Sequence, residues 1–198
     1  MDQNSKPTKK DTGLLARYDN RLATSSLRPL SEVEAEKART DYLGTHQALA
    51  SLFANQQQKS VRELVYDCAA LLKKMTGATY VWIGTLKENL EQLTLLGGQT
   101  QEGFAITGKF LLMQNSPLAE LGKKDLICYP RNALVTFVNN PYMQKYNING
   151  LAAHTIRDER RKFLGIICVM DVTAIAHPDY TCELLREAAE GLGSLLKN

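Results

Sequence analysis

The sequence predicts an α+β domain whose strands pair as antiparallel hairpins between amphipathic helices. Three observations carry this expectation. Val61, Leu64, Val65, Cys68, Leu71, Leu72 and Met75 recur at the three–four spacing of one helical face. Two pairs of short extended runs, Tyr80–Thr85 with Leu90–Leu96 and Gly150–Ile156 with Phe163–Asp171, are joined by polar connectors suited to hairpins. A second amphipathic stretch, Pro178–Leu196, sets Leu184, Leu185, Ala188, Leu192, Leu195 and Leu196 along one side.

Taken in chain order, residues 1–30 mix Lys, Pro, Thr, Ser and Asn with few apolar positions and read as a mobile basic tail. Ser31-Glu-Val-Glu34 has the spacing of a capping box, in which a hydroxyl and a carboxylate satisfy the exposed donors of a helix start. The helix it opens is rich in Ala, Glu, Leu and Gln to about Gln57. Its seam of Ala35, Ala38, Tyr42, Leu49 and Leu52, interrupted by Thr45, is narrow and suits packing on a partner helix. Residues 31–59 are therefore a candidate dimerisation element, and residues 60–198 the main domain. A second capping box, Ser60-Val-Arg-Glu63, opens the strongest helix, and Thr76-Gly77 stops it, Gly77 suiting the left-handed position.

Gly97-Gly98 is expected to break the strand that returns after the turn at Lys87-Glu-Asn89. The middle of the chain is less regular. Phe104–Ile106 and Phe110–Met113 read as short strands, and Ser116–Gly122 as a short helix with Pro at its first position. Asp125–Tyr129 is a short extended run ended by Pro130, followed by helical turns at Asn132–Val138 and Pro141–Lys145. Phe163–Met170 is nearly continuously apolar, as a strand covered on both faces should be.

Composition narrows the function. The 198 residues are 44% hydrophobic and 23% charged, and suffice for one sizeable core plus an accessory segment. The net charge is only +3, and residues 1–30 alone carry six cations against three acids. Outside that tail the only basic cluster is Arg157-Asp-Glu-Arg-Arg-Lys162, diluted by two acids and with no interleaved aromatic. Nucleic acid is not an expected partner. No apolar run approaches the ~20 residues that span a bilayer, and no apolar core follows the N-terminal lysines. A cytoplasmic location without membrane contact is expected by elimination. The four cysteines, Cys68, Cys128, Cys168 and Cys182, form no Cys-x-x-Cys pair and read as free thiols, mostly in the core.

The order helix, hairpin, irregular middle, hairpin, helix resembles a GAF domain over roughly residues 60–196. Phe110-Leu-Leu-Met-Gln-Asn-Ser-Pro-Leu-Ala-Glu-Leu121 is similar to a GAF stretch that reads aromatic-x-Leu-x-x-Thr-Pro-Cys before a short helix. Asp125-Leu-Ile-Cys-Tyr-Pro130 resembles the segment after it, and Gly150–Ile156 with Phe163–Asp171 the family's closing hairpin. The resemblance implies a six-stranded antiparallel sheet with helices on one face and a ligand pocket over the other. A PAS-like domain shares that plan and differs mainly in element order. The family pattern's Cys is here Leu118, and neither the Asn-Lys-x-n-Phe-x-x-x-Asp-Glu pattern of cyclic-nucleotide GAF domains nor a Cys-His dipeptide for bilin attachment occurs. Such domains imply small-molecule sensing or dimerisation in bacterial signalling, beside an output protein. A separate output domain is not expected within these residues.

Candidate chemistry follows from the same positions. Trp82, Tyr129, Phe137, Tyr142 and Tyr146 are expected to line a pocket or to fill the core, with Arg131 and His154 as polar handles for an anionic or aromatic compound. Cys128 joins that ligand-binding set. As the alternative, it is the thiol of a reductase resembling the GAF-like enzymes that reduce free methionine sulfoxide, with Arg131 as the cation that would lower its pKa. Cys128 and Cys168 are also positioned to approach one another, yet two thiols do not complete a metal site, and His46, His154 and His177 fall in three different elements. Neither metal nor cofactor is expected. The favoured reading is a non-catalytic sensory module that binds a small ligand and dimerises through its N- and C-terminal helices.

Overall fold

A computed structural model describes residues 32–55, 58–86, 92–102, 108, 110–112 and 116–196. The basic tail, the Ser31 capping box, the turn at Lys87–Asn89 and the run Phe104–Ile106 lie outside the described residues. The chain divides into two compact units, Met1–Gln47 and Ala48–Asn198. Helix α1 (Glu32–Ala54) supplies the described part of the first unit and the opening residues of the second.

The second unit continues with α2 (Val61–Thr76), β1 (Tyr80–Leu86), β2 (Gln92–Gln99), β3 (Phe110–Leu112), a 3-10 helix (Pro117–Gly122) and β4 (Leu126–Tyr129). Two short helices follow, α3 (Ala133–Thr136) and α4 (Pro141–Lys145), then β5 (Gly150–Arg157), β6 (Phe163–Asp171) and α5 (Pro178–Leu195). The six strands form one sheet in the order β3-β2-β1-β6-β5-β4, and every neighbouring pair is antiparallel. No described helix is long and apolar enough to cross a membrane.

The expected caps hold α2. Ser60 accepts from the Glu63 amide at 3.3 Å while the Glu63 carboxylate accepts from the Ser60 amide at 2.8 Å, and Gly77 closes the helix at φ 66°. Val65, Cys68, Ala69 and Leu72 of α2 are fully buried against one sheet face, and Leu64 of the same helix is fully buried too. On α5, Leu184, Leu185, Ala188 and Leu192 are fully buried in the same core, joined by Val81, Ile83, Ala152, Ile156, Ile167 and Val169. Removing one such leucine side chain costs about 2–5 kcal/mol. The leucines of α5 are thus consumed by the domain's own core. Leu49, fully covered, and Leu52 and Phe53 at the end of α1 belong to this core too.

Gly97 and Gly98 do not break β2; they lie within it. Contact explains why. A Cβ on Gly97 would stand 2.6 Å from Val65 Cγ1, and one on Gly98 2.7 Å from the Val81 carbonyl oxygen. The register shifts between Ile83 and Gly84, which pair with Gly97 and Leu95, so Leu96 is the extra residue of a bulge. Gly98 pairs with Trp82, and Trp82 with Cys168, in a row that continues through Ala153 to Ile127. This row crosses the face opposite α2 and α5.

Candidate ligand site

Strand alternation sorts the side chains of the sheet. Tyr80 and Trp82 of β1, Ile166, Cys168 and Met170 of β6, Leu151 and Ala153 of β5, and Ile127 of β4 form the floor of a second core. Leu118 and Leu121 of the 3-10 helix, Ala133 of α3, Met143 of α4 and Ile148 pack onto it from above. The sheet therefore carries long helices on one face and short ones on the other.

The short helices are seated by asparagines. Asn140, 1% exposed, caps α4 by accepting from the amides of Tyr142 and Met143, both at 3.0 Å. At the start of α3, Asn132 is left-handed (φ 63°), and its amide donates to Asn149 Oδ1 at 2.9 Å while the Ala133 amide donates to the Asn149 carbonyl at 2.8 Å. These bonds fix the segment that brings Phe137, Tyr142 and Tyr146 over the sheet.

The rings meet edge to face. Tyr146 lies 5.5 Å from both Tyr80 and Trp82, at interplanar angles of 66° and 81°, and Tyr80 lies 6.3 Å from Trp82. Lys145 Nζ sits 5.4 Å from the Tyr146 centroid, a cation over the ring's face. Tyr129 meets Phe137 at 5.2 Å and 90°, and its hydroxyl donates to the Glu120 carboxylate. That bond, with some burial, pushes the Tyr129 phenol up to about 12 and fixes it as a neutral donor. Within this apolar surround, the indole Nε1 of Trp82, a residue only 3% exposed, has no hydrogen-bond partner among the described residues. A buried donor left unpaired costs about 1–3 kcal/mol.

The seven positions expected to form one site therefore divide. Trp82, Tyr129, Phe137 and Tyr146 share the aromatic face, together with Tyr142. Arg131 is exposed beyond the end of β4. Cys128 and His154 lie on the opposite face, because each is adjacent along its strand to a residue of the aromatic side, Tyr129 and Ala153. Cys168 faces the aromatic side, so Cys128 and Cys168 are separated by the sheet rather than brought together. The partner of Cys128 is Cys182 of α5, whose thiol hydrogen-bonds to it; Arg131 is not among the groups that act on its pKa. Tyr80 was missed because it was counted only as a strand residue, although its period-two relation to Trp82 placed both on one face.

On the helix side, His154 borders a cleft of about 480 Å³ with Asp125, Arg157, Arg186 and Glu190. Its Nδ1 donates to the Thr155 carbonyl at 2.7 Å, and burial outweighs that bond to hold its pKa below the usual imidazole value. Arg157 Nε and Arg161 Nη2 each donate to Asp125 at 2.7 Å, and Thr155 Oγ1 at 3.0 Å. Two of the three arginines of the hairpin tip, Arg157 and Arg161, are thus engaged by a carboxylate. The Arg157 bond is the main reason that Asp125 titrates at about 2.

No protein-family model matches the sequence, and no curated protein matches it. Solved structures do. The chromophore-binding domain of Stigmatella aurantiaca phytochrome P1 aligns with a TM-score of 0.65 at 13% identity over 88% of this chain and 64% of that one. Free methionine-R-sulfoxide reductase from Neisseria meningitidis, determined with its substrate, aligns at 0.62 and 14% identity over 87% of this chain and 96% of the other. The phycocyanobilin-bound GAF domain of a cyanobacterial phytochrome aligns at 0.61 and 10% identity over 77% and 92%. This chain spans less than two thirds of the first two phytochrome chains it matches. At such identities the likeness concerns the fold alone. That fold is the GAF fold.

Proposed function

We propose that this GAF-fold chain is a non-catalytic sensory module that takes a small molecule onto the sheet face opposite α2 and α5. The observation that carries the reading is the buried, unpartnered indole N–H of Trp82 among Tyr80, Tyr146 and the neighbouring apolar side chains. A ligand that fits offers flat apolar surface to the rings and one hydrogen-bond acceptor to the indole. The neighbours include a phycocyanobilin-bound GAF domain and a reductase determined with its substrate, which supports a ligand on this fold without naming one here. The reductase alternative has less support, since Cys128 lies across the sheet from the aromatic group.

Self-association and signalling to a separate bacterial, cytoplasmic output protein extend the same proposal. With the α5 leucines used internally, the first turns of α1 are the segment proposed for a dimer; a monomer in sedimentation at high micromolar concentration would remove that part. Native mass spectrometry of freshly purified chain tests the ligand. The expected spectrum contains a retained small molecule that unfolding releases. A bare polypeptide from every gentle preparation, with no compound raising the melting temperature in a screen, argues against the reading. A compound at about 100 times its Kd adds about 2.7 kcal/mol.

A further inference from the structure

We infer that Cys128 and Cys182 form a peroxide-responsive dithiol that closes into a disulfide between the sheet edge and the C-terminal helix. The inference is independent of the ligand site, which lies on the other face. Cys128 stands on β4, the outermost strand beside β5, and pairs with Ala152, whose side chain is buried under α5. Cys182 is in the first turns of α5, one turn before Arg186 and two before Ala189 and Glu190, residues that border the cleft with Asp125 and His154. That stripe of α5 therefore faces β4 and the β5 residues beside it, which sets Cys182 alongside Cys128, both packed on the same core. Both cysteines are free and half-buried, whereas Cys68 and Cys168 are completely covered.

The contact distributes roles between the two sulfurs. The Cys182 thiol hydrogen-bonds to Cys128, which holds the Cys128 pKa below the usual thiol value and pushes that of Cys182 up. The more acidic sulfur is the better populated thiolate. Cys128 thiolate attacks one oxygen of a hydroperoxide, the O–O bond breaks, and an alcohol or water leaves as the sulfenic acid forms. The sulfur of Cys182 then displaces the hydroxyl from Cys128, and water leaves with the Cys182 proton. The dithiol loses two electrons and two protons, and the peroxide is reduced. Cys68 and Cys168, their thiols pushed up to about 12 by burial, serve as internal controls.

The test treats the folded full chain with a small excess of hydrogen peroxide, alkylates it, and digests it with trypsin and Asp-N, which separates Cys168 from Cys182. The expected product is a peptide pair linked through Cys128 and Cys182 and restored by dithiothreitol. The intact mass falls by two hydrogens, and Cys68 and Cys168 resist alkylation until the chain is unfolded. In C182S, checked for folding by circular dichroism, Cys128 stops at a sulfenic acid that dimedone traps. The inference is overturned if the wild type instead gains oxygens at Cys128 with no linked pair. Links between chains, or equal reaction at all four cysteines, overturn it as well.

Discussion

Replacing Trp82 by phenylalanine separates an indole that merely fills a core from one that awaits a ligand. The residue is 3% exposed, its ring lies 5.5 Å from Tyr146 and 6.3 Å from Tyr80, and its Nε1 has no partner among the described residues. Going to phenyl removes roughly 40 Å³, which at about 24 cal/mol per Å³ costs about 1 kcal/mol. Lost transfer energy and ring contact add about 1 kcal/mol more. Against this, the substitution deletes a buried donor whose unpaired state costs about 1–3 kcal/mol. The two effects nearly cancel, and the ligand-free variant is expected within about 1 kcal/mol of the wild type. Trp82→Ala, which keeps the gain but empties the site, is expected to lose about 3–5 kcal/mol. Urea unfolding followed by far-ultraviolet circular dichroism measures both. A loss above about 3 kcal/mol for Trp82→Phe would refute the reasoning, because it would mean that the N–H is already well bonded.

Other substitutions and conditions test the frame around the site. Asn140→Ala leaves the amides of Tyr142 and Met143 without their acceptor in a buried cap and is expected to cost about 2 kcal/mol, read as a fall in Tm of about 4–8 °C. Gly193→Ala gains about 1 kcal/mol of helix propensity. Its Cβ would nevertheless stand 2.1 Å from the Arg157 carbonyl oxygen, so a net loss of about 1–3 kcal/mol is expected in the same unfolding assay. A stabilised variant would contradict this close approach of α5 to β5.

Acid should find the Asp125 cluster. Its folded pKa is depressed from 3.8 to about 2, so its stabilisation is present above pH ~4 and is lost as pH falls through about 2. Undiscounted, that depression is worth about 2.5 kcal/mol, and screening of a carboxylate 38% exposed leaves about 1 kcal/mol. Asp125→Asn should therefore flatten this part of the stability profile between pH 4 and 2. An unchanged slope would show that the arginines do not hold the carboxylate in solution.

Much of the fold was readable because its signals are local. The Ser60–Glu63 box and Gly77 marked α2 at both ends, and the charged connector at 157–162 marked the β5–β6 hairpin. Gly97 and Gly98 were misread as a break because what requires them is tertiary. Val65 and the Val81 carbonyl crowd the space that a side chain would fill. The aromatic residues expected near one another do share the second core, but the division of the seven positions between the two faces needed the strand period applied residue by residue. Cys128 beside Tyr129, and His154 beside Ala153, must point to opposite faces once β4 and β5 are strands. The contact of Cys128 with Cys182 joins elements more than fifty residues apart, and no spacing in the sequence announces it. Nor does any motif reveal that the Trp82 N–H lacks a partner among the described residues, since that depends on which side chains the fold brings beside it.

Trp82 is the sole tryptophan, so its indole N–H gives a single, unambiguous cross-peak in a ¹⁵N-labelled sample. Recording that peak on gently purified chain, and again after the chain has been unfolded, stripped and refolded, addresses the aromatic face directly. The account predicts a downfield indole proton in the first sample that moves upfield once the acceptor is removed. The same position in both spectra, with every backbone peak also unmoved, would contradict it.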